Sequence, residues 1–265
     1  MRKLALIFGL LAAPVSAHEF WIEPLAYQVE TDGNIAAHIV NGQNFEGTNL
    51  PFVPQRFAHF VTFAGGRSGN VEGRVGDLPA LQMDASQDGL HVFAYQARNA
   101  TVDYATWEKF ETFVTHKDLP LTRADHDARD LPETDFIEVY SRYSKSLVGV
   151  GSAAGADRRV GLETEFVALT NPYTDSLADG MKVQLFYRTD VRADEQVEVF
   201  EKAPSGEVLI SLYRTDAQGI ATIPVKSGHS YMVDAVVLRD PAAHVMADTG
   251  AVYETLWANL TFFAP

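Results

Sequence analysis

The chain contains no cysteine. Disulfides, zinc fingers, iron–sulfur clusters and thiol nucleophiles are excluded together. It is also poor in positive charge, with 21 Lys and Arg against 35 Asp and Glu, a net charge of −14. Nucleic-acid affinity comes mainly from basic side chains that release counterions, so no nucleic-acid partner is expected. Beyond the N-terminal run, no stretch approaches the apolar length of a membrane span, and no direct membrane insertion of the processed chain is expected. Gly-x-Gly-x-x-Gly, a phosphate-loop lysine, Gly-x-Ser-x-Gly and His-Glu-x-x-His are all missing. Nothing therefore points to a hydrolase or transferase, and the chain is not expected to be an enzyme. What is present is the composition of a folded globule, 46% hydrophobic and 11% aromatic over 265 residues, enough for one large domain or two small ones.

The start of the chain reads as a secretory leader over residues 1–17. Arg2 and Lys3 precede the apolar run Leu4 to Ala13, and Val15-Ser16-Ala17 supplies small residues at the cleavage positions. The run is too short to span a bilayer. A periplasmic or secreted product beginning at His18 is expected. A chain-starting histidine carries two nitrogens, an α-amine with a pKa near ~7.7 and an imidazole, that close a six-membered chelate on one ion. Such an N,N pair suits Cu(II) or Ni(II). The three-residue copper and nickel motif needs histidine in third place, where this chain has Phe20. His18 therefore requires partners from elsewhere in the fold.

Short β-rich runs bounded by turn residues fill the first half: Ile35 to Val40, Phe57 to Phe63 and Leu90 to Ala97. Two helices are predicted there. One is capped by Asp103 and runs to about His116, with Tyr104, Trp107, Phe110, Phe113 and Val114 on a broad apolar arc. The other starts near Pro132, where Phe136, Val139, Tyr140, Tyr143 and Leu147 recur at helical spacing and the charge order suits a helix dipole. Gly151 to Arg159 reads as a linker. Beyond it, seven strand candidates lie between Glu165 and Phe263, and Thr215 to Ala221 resembles the turn of prealbumin-like sandwiches. The expected fold is mainly β: two β-sandwich-like domains, one over residues 18–158 with one or two inserted helices, and one immunoglobulin- or prealbumin-like over residues 160–265.

Asp125-His126-Asp127 is an acidic patch that lacks the ordered spacing of a calcium loop and reads as a helix N-terminus. His38, His59 and His91 fall inside predicted strands. His59 shares a face with Phe57, Val61 and Phe63, so a core-lining role is expected for it. His91 follows a turn and shares a face with Phe93 and Tyr95, again suggesting a structural imidazole.

Several segments in order resemble one family. His18 to Pro24 is similar to the "His-Asp/Glu-Phe-Trp-Leu-x-Pro" opening of the DUF4198 family, periplasmic proteins often labelled as nickel- or cobalt-uptake-associated. Asn41 to Gly47 resembles its "G-x-x-F-E-G" loop, and Ser141 to Leu147 its "S-R-Y-x-K-x-L" segment, read as a helix. Asn171-Pro172-Tyr173 and Glu254 to Phe262 fit as well. The resemblance implies two β-rich units, a periplasmic location and a transition-metal role. Some relatives place a histidine just before Phe-Glu-Gly, where this chain has Gln43 and Asn44; Glu46 and His91 are the residues offered in its place.

The expected function is therefore periplasmic binding of Ni, Co or Cu at His18, with His91 and Glu46 as candidate further ligands. Its use would be capture or delivery to a membrane metal transporter. A β-sandwich interaction or adhesion module without a metal is the alternative. An oxidative copper enzyme is a third reading, and it needs a second histidine beside the amine.

Overall fold

The computed structural model describes residues 18–265, and the expected leader lies outside them. The first half runs β1 (Glu19–Pro24), β2 (Gln28–Val29), β3 (Asn34–Gln43), β4 (Glu46–Leu50), β5 (Phe57–Ala64), β6 (Arg67–Asn70), β7 (Leu81–Asp84), β8 (Gly89–Ala97), β9 (Ala100–Tyr104), α1 (Trp107–His116), α2 (Arg123–Ala128) and β10 (Phe136–Val150). It continues with β11 (Thr164–Ala168), β12 (Met181–Tyr187), β13 (Asp190–Val191), β14 (Gln196–Lys202), β15 (Val208–Arg214), β16 (Ile220–Ile223), β17 (His229–Arg239), α3 (Ala243–Thr249) and β18 (Tyr253–Ala264).

The protein is mainly β and layered. A ten-stranded sheet, ordered β15-β14-β17-β18-β10-β8-β5-β6 with β2 and β9 also along β10, forms the middle. One four-stranded sheet (β1, β3, β4, β7) covers one face, and another (β11, β12, β13, β16) covers the opposite face. The alternation of β8 shows why. Val92 enters a core with Phe166, Val183 and Leu260, whereas Phe93 and Tyr95 enter a second core with Phe20, Ile22 and Ile39. Successive strand side chains point to opposite faces, so one central strand feeds both layers. Helix α1 finishes the cover on the β1 side, packing Trp107, Phe110 and Phe113 on Phe136, Val236, Tyr253 and Trp257.

The strands expected in the second half are all present, as is α1, although its N-cap is Thr106 and Asp103 belongs to β9. The acidic patch at Asp125 to Asp127 lies in α2, where Thr122 and Asp125 form a capping box and His126 is buried against Tyr253. The helix expected over Phe136 to Leu147 is instead the central strand β10. Its apolar spacing mimics a helix because Glu138, Ser141, Ser144, Lys145 and Ser146 interrupt a strand that is buried nearly throughout. Helical periodicity assumes polar residues face water, and these do not. His59 is exposed, not core-lining. A bulge between Phe57 and His59 moves one residue out of register, so Phe57 and Phe60 share the core and His59 turns outward.

Lys145 is fully buried, and its ammonium lies 2.8 and 2.9 Å from the two Asp157 oxygens and 3.1 Å from Glu165. The carbonyls of Arg158 and Phe166 stand at 3.1 and 3.0 Å. Both carboxylates take further backbone donors, from Ala168 to Asp157 and from Val160 and Gly161 to Glu165. The network locks the irregular stretch after β10 against the central sheet. Removing the buried cation leaves Asp157 without an ion-pair partner and Glu165 with only Arg159 at 3.8 Å, so Lys145→Met should cost about 3–5 kcal/mol in urea unfolding. A loss under about 1 kcal/mol would mean the pair is dispensable, as exposed ion pairs are.

Candidate functional site

Strand β1 lies at the edge of its small sheet, and an edge strand carries backbone groups without a neighbouring strand. Side chains from the central sheet supply the missing partners. Ser144 accepts from the Ile22 amide at 3.2 Å and donates to Asn259 at 2.6 Å. Asn259 donates to the Phe20 carbonyl, and Thr261 donates to the Ile22 carbonyl at 2.7 Å. This grip fixes where the chain begins its described course. Glu19, Trp21 and Glu23 then alternate along one side of β1; Trp21 packs on Phe200 and Met232.

Glu19 reaches a charged cluster on the same face of the central sheet. Register places Leu212, Glu198, Asp234, Asn259 and Ser144 in one row across β15, β14, β17, β18 and β10. Lys117, just past the C-terminus of α1, is buried over that row, bonded to Glu198 and 3.3 Å from Asp234, with its ammonium 4.9 Å from the Trp257 ring. His116 Nε2 lies 3.2 Å from the other Glu198 oxygen. Arg142 stacks on Tyr140 at 4.4 Å and donates to the His18 carbonyl at 2.6 Å. The Glu19 carboxylate accepts from the Asn44 amide at 3.0 Å. The cluster thus sits in the seam between the small sheet and α1, with exposed His18 at its lip.

One buried ammonium, Lys117, serves three buried carboxylates there. Burial, reinforced by the neighbouring Asp234, pushes the Glu19 carboxyl up to about 7. Burial also pushes Asp234 up to about 6, against the pull of Lys117 and with the help of Glu198. Burial works to raise Glu198 too, yet the hydrogen bond from His116 and the Lys117 charge hold it below its usual value. Lys117 is raised despite its burial, because Asp234 and Glu198 favour its charged form. Among the described residues, Asp234 Oδ1 is buried with no hydrogen-bond partner, as is Arg142 Nε. The arrangement can take up a further cation or a proton.

Of the residues singled out in the sequence, two lie at one end of the small sheet. Glu19 pairs with Gly42, Gly42 with Gly47, and Gln43 with exposed Glu46, so His18 and Glu46 extend the same rows. His91 lies elsewhere. It is buried opposite Val148 of β10, six residues past the Arg142 that holds His18, or about 20 Å along the strand. Its Nε2 is 2.7 Å from the Gln87 carbonyl. Among the described residues, no group of three or more His, Asp or Glu forms a ready-made metal cage. Sequence reasoning missed Glu19, Glu198, Asp234 and Lys117. The available signal was an acid inside an otherwise apolar strand, as in Met232-Val233-Asp234-Ala235-Val236, since such residues are seldom buried without a partner.

A family model described as a domain of unknown function, DUF4198, matches residues 15–239. The chain belongs to this family. No curated protein matches it. A solved structure, the D0-D1 domain of intimin, aligns over 92% of this chain and 97% of its own at 12% identity and a TM-score of 0.22, too slight a likeness to carry an argument.

Glu19 and Asp234 bind protons more tightly folded than unfolded, whereas Glu198 does the reverse. For a carboxyl whose folded pKa is raised, stability is greatest at low pH and falls as pH climbs through the interval between unfolded and folded values. For Glu19 and Asp234 that interval runs from the ordinary carboxylate range to about 7 and about 6 respectively. Their contribution should therefore lower the melting temperature as pH rises from about 4 to about 7, and Asp234→Asn should flatten this slope. An unchanged slope in the variant would show that Asp234 is not the titrating group.

Proposed function

We propose that this DUF4198 protein is a secreted, periplasmic binder of a divalent transition metal, Ni(II), Co(II) or Cu(II), and not an enzyme. The observation that carries the reading is the position of His18: exposed, pinned through its carbonyl by Arg142, and next to a cluster in which three buried carboxylates share one buried ammonium, Lys117, with His116 and Arg142 at its edge. Cleavage before His18 frees an α-amine at that lip. The amine and imidazole then form a nitrogen chelate of the kind Ni(II) and Cu(II) favour. A divalent ion there relieves the repulsion that burial imposes on Glu19 and Asp234. Glu46, at the same end of the small sheet, is the carboxylate best placed to add an oxygen ligand, whereas His91 is too distant to join. Among the described residues no helix is long and apolar enough to cross a membrane. Capture or buffering, with delivery to a membrane transporter, suits a site open on one side.

The test is calorimetric titration of Ni(II), Co(II) and Cu(II) into protein whose N-terminus is His18. One extra alanine ahead of His18 converts the amine to an amide and should weaken binding by about tenfold or more, because a chelate arm is lost. His91→Ala should leave affinity unchanged. Equal affinity with and without the added alanine would sink the proposal.

A further inference from the structure

At the other end of β1, away from His18, a cavity of about 510 Å³ opens between the segment Glu23 to Gln28 and the turn joining β14 to β15. That volume lies within the range of small-molecule sites. Two features of its wall stand out. Glu23 and Lys202 face each other across 3.2 Å, each with 28% of its side chain still exposed. Lys202 also lies 3.3 Å from the Phe45 carbonyl, so its ammonium is held in place. The rest of the wall is mixed: Gln28 and Ser230 are polar, and its apolar part is Leu25, exposed to 60%, Pro204, and the stacked rings of Tyr27 and Phe263, 6.1 Å apart.

We propose that this cavity binds a free α-amino acid with an apolar or aromatic side chain. A ligand with a single charge would take one member of the Glu23–Lys202 pair and strand the other, half-buried, without its partner. An α-amino acid carries an ammonium and a carboxylate close together. It inserts between the two side chains, its ammonium on Glu23 and its carboxylate on Lys202, and leaves no charge unmatched. Its side chain then covers Leu25 and lies against Pro204 and Phe263, removing apolar surface from water. A bare metal ion finds only one carboxylate here, and a sugar would leave the ion pair unused. The site needs nothing from His18, so it stands apart from the metal reading.

The experiment uses the full processed protein, stripped of metal, titrated with L-phenylalanine, phenethylamine and 3-phenylpropionate. L-Phenylalanine should bind about tenfold or more tightly than either single-charge analogue, since charge-assisted bonds at both ends are counted only for the zwitterion. Glu23→Gln and Lys202→Met should each reduce L-phenylalanine to the level of the analogues. Ala203→Trp, on the cavity wall, should abolish binding with circular dichroism unchanged. Protein extended by one alanine before His18 should bind L-phenylalanine as the parent does, whatever it does with metal. No binding of L-phenylalanine, or binding no better than that of the analogues, overturns the proposal, and this ligand comparison on the unaltered protein decides it even where a variant fails to fold.

Discussion

β10 arrives from the first half of the chain and β18 from its far end, and they pair in parallel from Glu138 opposite Tyr253 to Ser146 opposite Thr261. Parallel neighbours need a crossover, and here it is long: it adds β14, β15 and β17 to the same sheet and lays β11, β12, β13 and β16 over one face. The pairing aligns Ser144, Asn259 and Thr261 so that they grip β1 on the other face. The next residue along, Lys145, points the opposite way and holds Asp157 and Glu165. Two consecutive positions of one strand therefore tie down both outer layers. Misaligning β10 by a single residue would exchange them and leave both layers without their polar anchors.

Two buried charge clusters flank the same sheet and differ in kind. Around Lys145 each carboxylate has an ammonium and backbone donors, the arrangement of a structural pair whose polar atoms are satisfied. Around Lys117 the count fails: Asp234 keeps an oxygen without a partner, and Glu19 and Asp234 hold protons longer than ordinary carboxyls. A fold gains nothing in stability from an underneutralised acid, and perturbed carboxyls of this kind gather at functional sites more than in scaffolds. That contrast, rather than the number of acids, distinguishes the two clusters.

Much of the architecture was readable from sequence because it obeys simple periodicity. The second-half strands alternate or run apolar between turns, and α1 has a broad apolar stripe. β10 defeated the same rules: a central strand with buried Ser, Lys and Glu satisfied by distant partners looks amphipathic in isolation. The site was half legible. His18 stood out through its place after the leader, but Glu198 and Asp234 meet Glu19 only through strand register across more than a hundred residues, and no local pattern encodes that. The segments His18 to Pro24, Ser141 to Leu147 and Glu254 to Phe262, which carry the family likeness, turn out to be β1, β10 and β18, stacked where the grip forms.

That grip has a temporal side. Phe20 and Ile22 are held by Asn259 and Thr261, separated from them by 239 positions. Loop-closure entropy makes such remote contacts slow to form, and a chain emerging N-terminus first displays β1 long before its clasp exists. The chain from His18 is consequently drawn onto the sheet only when β18 has joined it, so the lip beside the Lys117 cluster is completed late in folding.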